Sequence, residues 1–445
     1  FVRVSKIILD SYYANKNHNH GIVVSAMGGF TDLLIKISED CTSKSLFSSD
    51  EYKLISERIS IISNDLLEEK ESKEYLDNVF GDFDEIKNIL EQSHDKEDSG
   101  DKSEIIAGYG ELWSARLMNI YLNKLLADEK SVFLDSRKVI FLDESNINES
   151  IDWQKSNESF SKFTSSSPSK LYLITGFIAS RYDGISTNLG RNGSDYSAAI
   201  FASLFDAEEL VIWTDVDGVL SADPNRVKNA RLISNLSYNE AMELAYFGAK
   251  VIHPKTFSPL IKQEIPIYIR NTFDPEKKGT KISSNIDANR EIKGITVIES
   301  MALINVEGTG MLGVPGTADK LFASLKEKDI SVSLISQASS EHSICIAIPQ
   351  SLTEIAYKQI NDAFSEEIKL GLISNIDINR DLSVLAVVGD NMVGQYGIAG
   401  KFFNTLGEAE ISVRAIAQGS SERNISAVID SKDTNQALNE IHKGF

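Results

Sequence analysis

The chain repeats itself near its C-terminal end. Met311-Leu-Gly-Val-Pro-Gly316 returns as Met392-Val-Gly-Gln-Tyr-Gly397, Ile330-Ser-Val332 as Ile411-Ser-Val413, and Gln337-Ala-Ser-Ser-Glu341 as Gln418-Gly-Ser-Ser-Glu422. Every pair stands 81 residues apart without a gap. Each copy reads as strand, glycine turn, helix, strand, strand, so this part must fold as two tandem βαβ-rich modules. Within the first copy, Gly308-Thr-Gly310-Met-Leu-Gly313 follows a strand at Ala302–Val306 and opens a helix at Ala318–Lys326. That context suits a dinucleotide fingerprint. The repeat argues against it: the second copy has Gly389, Asn391 and Gly394 there, losing the middle glycine while the rest persists. A duplicated module that keeps Met-x-Gly-x-x-Gly and Gln-x-Ser-Ser-Glu is better suited to a small polar ligand, or to pairing with its twin.

The upstream part has a different rhythm. A strand at 21–24 leads through Gly28-Gly29 to a helix near Thr31. Residues 50–130 have a helical composition, rich in Glu, Lys, Leu and Ile. A charged loop is expected at 93–102, and a Ser-rich break at 156–169. Then strands at 171–175, 210–213 and 265–269 alternate with helices at about 194–206 and 238–248, the pattern of an α/β layer fold with a largely parallel sheet. The 445 residues carry 42% hydrophobic and 25% charged residues and a net charge of -20. Such a field repels nucleic acid and anionic membranes, no basic stripe offsets it, and no apolar run reaches the ~20 residues of a membrane span. Two cysteines, Cys41 and Cys345, make no disulfide framework and fit a reducing compartment.

Five segments could carry chemistry. In Leu189-Gly-Arg-Asn-Gly-Ser-Asp-Tyr-Ser-Ala-Ala199, Gly190 and Gly193 admit a ligand to the backbone, and the following helix aims free N–H groups at the same place. Asp195 alone could be an N-cap, but Arg191 adds a guanidinium that a cap does not need and a bound anion does. Val211-Ile-Trp-Thr214-Asp215-Val-Asp217-Gly218 ends an apolar strand in acidic and hydroxyl groups, where ligands of open α/β sheets sit; an ordinary turn is the alternative. Gly248-Ala-Lys250 offers one cation, or a solvated lysine. Val24-Ser25-Ala-Met-Gly28-Gly29-Phe-Thr31-Asp32 is a strand-to-helix glycine turn. In Gly108-Tyr-Gly110-Glu111-Leu-Trp-Ser-Ala-Arg116, Glu111 opens a helix and could simply complement its dipole.

In this order the segments resemble the aspartokinase branch of the amino-acid kinase family, and the repeat resembles its paired ACT domains. The resemblance covers nearly the whole chain apart from residues 43–102. The run at 418–426 is especially similar to bifunctional aspartokinase–homoserine dehydrogenases. The fold it implies is an α/β amino-acid kinase domain over 1–290, then two ferredoxin-like βαββαβ ACT domains at 291–378 and 379–445, with 292–299 open to assignment to the second. Ser25, Thr31, Glu111, Arg191 and Ser194 would hold L-aspartate, with Glu111 on its ammonium and Arg191 on a carboxylate. Asp195, Arg191 and Lys250 would serve catalysis. Gly28, Gly29, Gly193, Thr214, Asp215 and Lys250 would meet ATP, which arrives with Mg2+. Gln337 and Gln418 would read an end-product amino acid, threonine before lysine, or satisfy backbone at a module contact.

The resemblance also implies a homo-oligomer through the ACT domains and a cytoplasmic or plastid location. It places a Lys-Phe-Gly-Gly segment upstream of residue 1 and a homoserine dehydrogenase domain beyond residue 445. One departure stands out: the family arginine after Asp223-Pro224 is Asn225 here, with Arg226 one place later. The acceptor would be the aspartate side-chain carboxylate, already ionised at neutral pH with a pKa of about 3.9. It needs no general base, only cancellation of its repulsion from ATP and in-line positioning. A sister kinase for glutamate, acetylglutamate or UMP, and a non-catalytic amino-acid sensor, are the alternatives.

Overall fold

The computed structural model describes residues 1–91, 99–127, 129–143, 150–190, 192–249, 252–285, 291–311, 316–337 and 342–445. The chain divides into two compact units. Unit 1 holds Phe1–Trp213, Lys255–Ile267 and Thr272–Pro275; unit 2 holds Thr214–Pro254, Tyr268–Asn271 and Glu276–Phe445.

Unit 1 opens with α1 (Val2–Ala14), β1 (His20–Val24) and α2 (Phe30–Asp40). Four helices follow: α3 (Asp50–Leu66), α4 (Glu69–Glu91), α5 (Ser99–Ala107) and α6 (Tyr109–Leu125). Then come β2 (Val132–Leu134), β3 (Phe141–Asp143), β4 (Ser150–Ile151), α7 (Trp153–Ser166), β5 (Leu171–Thr175), β6 (Ile178–Arg181), β7 (Ser186–Asn188), α8 (Gly193–Leu204) and β8 (Leu210–Thr214). Strands β1 and β2 flank β5, both parallel to it. A second sheet runs β4-β3-β6-β7. Apolar residues at helical spacing on α2, α3 and α4, among them Leu34, Ile55, Ile59, Val79 and Phe83, close around Trp113 of α6 in one buried cluster. At ~2 kcal/mol for each large apolar side chain removed from water, this cluster gives the helices their reason to form.

Two local expectations need correction. Residues 153–166 are helical, not a break: the Asp152 side chain accepts from the Lys155 amide at 2.9 Å, Phe160 is buried, and the hydroxyls of Thr164 and Ser166 bond back to carbonyls of their own helix. Serine-rich composition disfavours a helix only until a cap and a buried aromatic outweigh it. The expected loop at 93–102 is already helix from Ser99 onward; residues 92–98 lie outside the described residues.

In unit 2, β9 (Asn235–Ser237) runs into α9 (Tyr238–Tyr246) through a capping box, with Ser237 and Glu240 each accepting the other's backbone amide. The chain passes back through unit 1, where it forms α10 (Ser258–Ile261), and returns with β10 (Ile267–Asn271) and β11 (Thr280–Ser283). Strand β11 pairs in parallel with β9.

The rest of unit 2 is the repeat. It comprises β12 (Gly294–Glu307), α11 (Thr317–Lys326), β13 (Leu334–Gln337), β14 (Ser343–Pro349), α12 (Thr353–Ala363), α13 (Ser365–Lys369) and β15 (Asn375–Val388), then α14 (Ile398–Glu408), β16 (Val413–Ala417), β17 (Asn424–Asp430) and α15 (Thr434–Gly444). One six-stranded sheet runs β13-β14-β12-β15-β17-β16. Its long central strands serve both modules. Residues 301–307 of β12 pair with β14 and with 375–382 of β15, whereas 294–298 pair only with 384–388. The expected βαββαβ modules are therefore present, and the closing strand of the second precedes the first in sequence.

Candidate active site

The parallel pairing of β1 with β5 ends both strands at one level: Val24 stands opposite Thr175, and the Gly176 amide donates to the Val24 carbonyl at 3.0 Å. Beyond this carboxyl edge three chain turns converge. The first is Ser25–Gly29, which enters α2 through Gly29 at φ 79°, a left-handed value that glycine adopts without strain. Ser25, Gly28 and Gly29 are exposed there, and Thr31 lies half-buried in the first turn of α2. The second is the start of α6. A Cβ on Gly110 would come to 3.0 Å from the Ala26 Cβ, so the absence of a side chain there lets the helix lie close against the first turn. The third is the turn after β5, which packs against the first turn of α8. A Cβ on Gly176 would meet the Cβ and Oγ of Ser194 at 2.8 Å, which puts Ser194 hard against the strand end.

Glu111 is the most perturbed group in this place. It is only 4% exposed, it accepts the Ala26 amide, and its Oε2 has no partner. Burial pushes its carboxyl up to about 7, against the partial relief of backbone hydrogen bonds. A buried carboxylate oxygen left open beside a glycine-lined turn suits a cationic group brought by a ligand. Asp195, in the first turn of α8, is also raised by burial, while a hydrogen bond with Asn192 pulls the other way. Its neighbours are held firmly: Ser197 Oγ donates to the Gly193 carbonyl and accepts the Phe177 amide, both at 2.9 Å. Phe177 sits at φ 65°, strained for an aromatic residue. This strain marks the β5–β6 turn, which packs on the start of α8, as over-determined by its surroundings.

The structure thus brings Ser25, Gly28, Gly29, Thr31, Glu111, Gly193, Ser194 and Asp195 to one edge of unit 1. Arg191 and Lys250 lie outside the described residues. Thr214 and Asp215 open unit 2; the Thr214 hydroxyl donates to the Asp215 carboxylate at 3.2 Å, and Asp215 is exposed. Asp217, two residues on, accepts from Asn271 at 2.6 Å and pairs with Lys277 at 2.8 Å. These contacts hold its carboxyl below the usual range. Arg226 is committed within its own unit, pairing with Glu299 at 2.6 Å and lying 3.7 Å from Asp223. Gln337 ends β13 and Gln418 follows β16, both exposed.

A residue that braces the first turn escaped sequence reasoning. Arg58 of α3 donates from Nη2 to the Gly28 carbonyl at 2.9 Å and stacks 4.7 Å from the Phe30 ring, bracing the first turn from behind. In a charged helix it reads as one more solvated residue.

Residues 3–271 match the amino acid kinase family, and 304–364 and 385–445 each match the ACT domain. A chloroplastic bifunctional aspartokinase/homoserine dehydrogenase of Arabidopsis thaliana is 38% identical over 432 residues, covering 95% of this chain and 47% of its own. The aspartokinase of Schizosaccharomyces pombe is 32% identical over 372 residues, covering 76% of this chain and 68% of its own. Among solved structures, E. coli aspartokinase III in complex with aspartate and ADP aligns with a TM-score of 0.79 at 24% identity, over 100% of this chain and 95% of that one. Clostridium acetobutylicum aspartate kinase aligns at 0.76 and 27% identity, over 100% and 95%. The chain belongs to the amino acid kinase family, on its aspartokinase branch, and carries the tandem ACT domains of that branch. It spans about half the length of the plant relatives it matches, 47% of the first.

Proposed function

We propose that this chain transfers the γ-phosphoryl group of ATP to the side-chain carboxylate of L-aspartate, giving 4-phospho-L-aspartate. The observation that carries the reading is the buried Glu111 carboxylate with an unpartnered oxygen, at the same strand edge as Ser194 and Asp195. Glu111 fits the substrate ammonium and Arg191 a carboxylate, with Ser25, Thr31 and Ser194 along the bound molecule. Glu111 and Arg191 would then hold the amino-acid end, so that only the distal carboxylate faces the phosphate. Asp195 would organise the reacting groups, while Thr214, Asp215 and Lys250 would meet the nucleotide. Mg2+ enters as part of the MgATP substrate and supplies neutralisation of phosphate charge. The acceptor is already an anion, which agrees with a site whose described residues offer carboxylates and hydroxyls rather than a histidine base.

The aspartokinase relatives support the substrate, and the match of both repeat copies to the ACT domain supports feedback control by an end-product amino acid; the similarity of residues 418–426 to the bifunctional enzymes makes threonine our choice of effector before lysine. The names of the plant and bacterial relatives support a homoserine dehydrogenase region in the full-length protein. A homo-oligomer through the ACT domains and residence in cytoplasm or plastid complete the reading. No helix among the described residues is long and apolar enough to cross a membrane.

The test is a phosphoryl-transfer assay on the full-length protein with MgATP and, in turn, L-aspartate, L-glutamate, acetylglutamate and UMP. Hydroxylamine trapping reads any acyl phosphate. A hydroxamate formed only from aspartate is expected. Turnover of another acceptor in preference would reassign the substrate, and turnover of none, with aspartate still bound, would make the chain a sensor.

A further inference from the structure

We propose that Asp82, supported by Glu85, is a positioning residue: from α4 it clamps the rear face of α6 and so fixes the rotation that aims Glu111 into the substrate pocket. The inference rests on the substrate reading of Glu111. Helix α6 has two faces. Tyr109, Trp113 and Arg116, spaced i, i+4, i+7, lie on one side, whereas Glu111 is two residues on from Tyr109, about 200° around the helix at 3.6 residues per turn. The front face carries Glu111 and Gly110 onto Ala26.

The rear face is tied to α4 at four points. Asp82 Oδ2 accepts Trp113 Nε1 at 2.8 Å and Arg116 Nη1 at 2.5 Å, the Tyr109 hydroxyl donates to Glu85 Oε2 at 2.8 Å, and the Tyr75 hydroxyl donates to the Trp113 carbonyl at 3.1 Å. Tyr75, Asp82, Tyr109 and Trp113 are all buried. Apolar packing alone lets a helix roll by a fraction of a turn at small cost, because methyl groups slide past one another. A charge-assisted acceptor that must meet an indole N–H and a guanidinium at once does not. Glu111 needs such a constraint, since its Oε2 has no protein partner to fix it. The clamp comes from α4, where the sequence carries no recognisable motif, so a stretch without a signature holds the back of the pocket.

The experiment compares kcat, the two KM values and the melting temperature of the full-length protein in three variants. Asp82→Ala is expected to raise the KM for aspartate about tenfold or more while the KM for ATP stays within about twofold, the cost of displacing a binding group rather than losing active protein. Asp82→Asn, which still accepts the indole N–H, should restore part of that affinity. Tyr109→Phe, which removes only the hydroxyl that meets Glu85, should raise the aspartate KM about threefold. If Asp82→Ala does not fold, the two milder variants decide. A lower melting temperature with the aspartate KM unmoved makes Asp82 a stabilising core residue and overturns the proposal. A wild-type protein that ignores aspartate overturns the substrate reading and this inference together. A wild type that turns aspartate over while the variants keep its KM overturns this inference alone.

Discussion

Glu240 accepts the backbone amide of Asp390, 150 residues further along the chain, at 2.8 Å. The same carboxylate closes the capping box of α9 with its other oxygen. Both residues are buried, and Asp390 is paired in turn with Arg423 at 2.6 Å. Asn424 adds a contact to Glu243 at 2.5 Å, and Ser221 meets His442 at 2.8 Å. Within unit 2, the segment that carries Thr214, Asp215 and α9 is thus keyed to the second ACT module by polar contacts of fixed geometry. Replacing Glu240 with alanine removes the side-chain half of the α9 capping box and orphans the buried amides of Ser237 and Asp390, an expected loss of ~2 kcal/mol. Hydrogen exchange at the Asp390 amide reads it: the variant should lose protection there, and unchanged protection would refute the link.

Glu111 gives a pH prediction with a definite sign. Its folded pKa of about 7 lies above its ordinary value of 4.5, so the folded state holds the proton more tightly. Its contribution to stability is complete at low pH and is lost as pH rises from about 4.5 to about 7. Glu111→Gln should therefore stabilise the ligand-free protein at pH 8 by up to ~3 kcal/mol, with little effect at pH 4.5. The same variant should lose aspartate binding. Thermal melts at the two pH values and aspartate titrations check both halves; equal shifts at both pH values would contradict the assigned ionisation.

The close approach at Gly176 predicts a positional effect on catalysis. In Gly176→Ala the new Cβ must displace Ser194, whose Cα is only 3.1 Å away. Because Asp195 follows in the same turn, the rate is expected to fall at least about tenfold, with the β1–β5 pairing intact by circular dichroism. Normal turnover would remove Ser194 and Asp195 from the site.

Direct removal of the charged groups should cost more. Asp195→Ala and Arg191→Ala are each expected to lower the rate at least about a hundredfold. Near wild-type turnover in both would refute the assignment of this edge as the reaction site.

The reasons for what was and was not legible are physical. The turns that carry Glu111, Ser194 and Asp195 were legible because glycine spacing and helix starts are local constraints, written in consecutive residues. The two ACT modules were legible because duplication prints the same constraint twice. Arg58, Asp82 and Glu85 left no such mark. Their partners are 24 to 34 residues away, and a polar residue in a charged helix looks the same whether it meets water or a buried tryptophan. The α7 error has the same root, since serine frequency says nothing about an aspartate cap or about Phe160 finding a core. Arg226 was legible as a displaced arginine but not as the partner of Glu299, 73 positions downstream.

Strands β12 and β15 each run through both ACT modules, with residues 294–298 completing the sheet edge of a module whose other elements begin after residue 381. Neither copy is a free-standing cassette. A cut between α13 and β15 would strip the first module of its outer strand and leave the second without the residues that seal it. Either copy expressed alone would therefore expose an unpaired strand edge, and only the pair makes a closed folding unit.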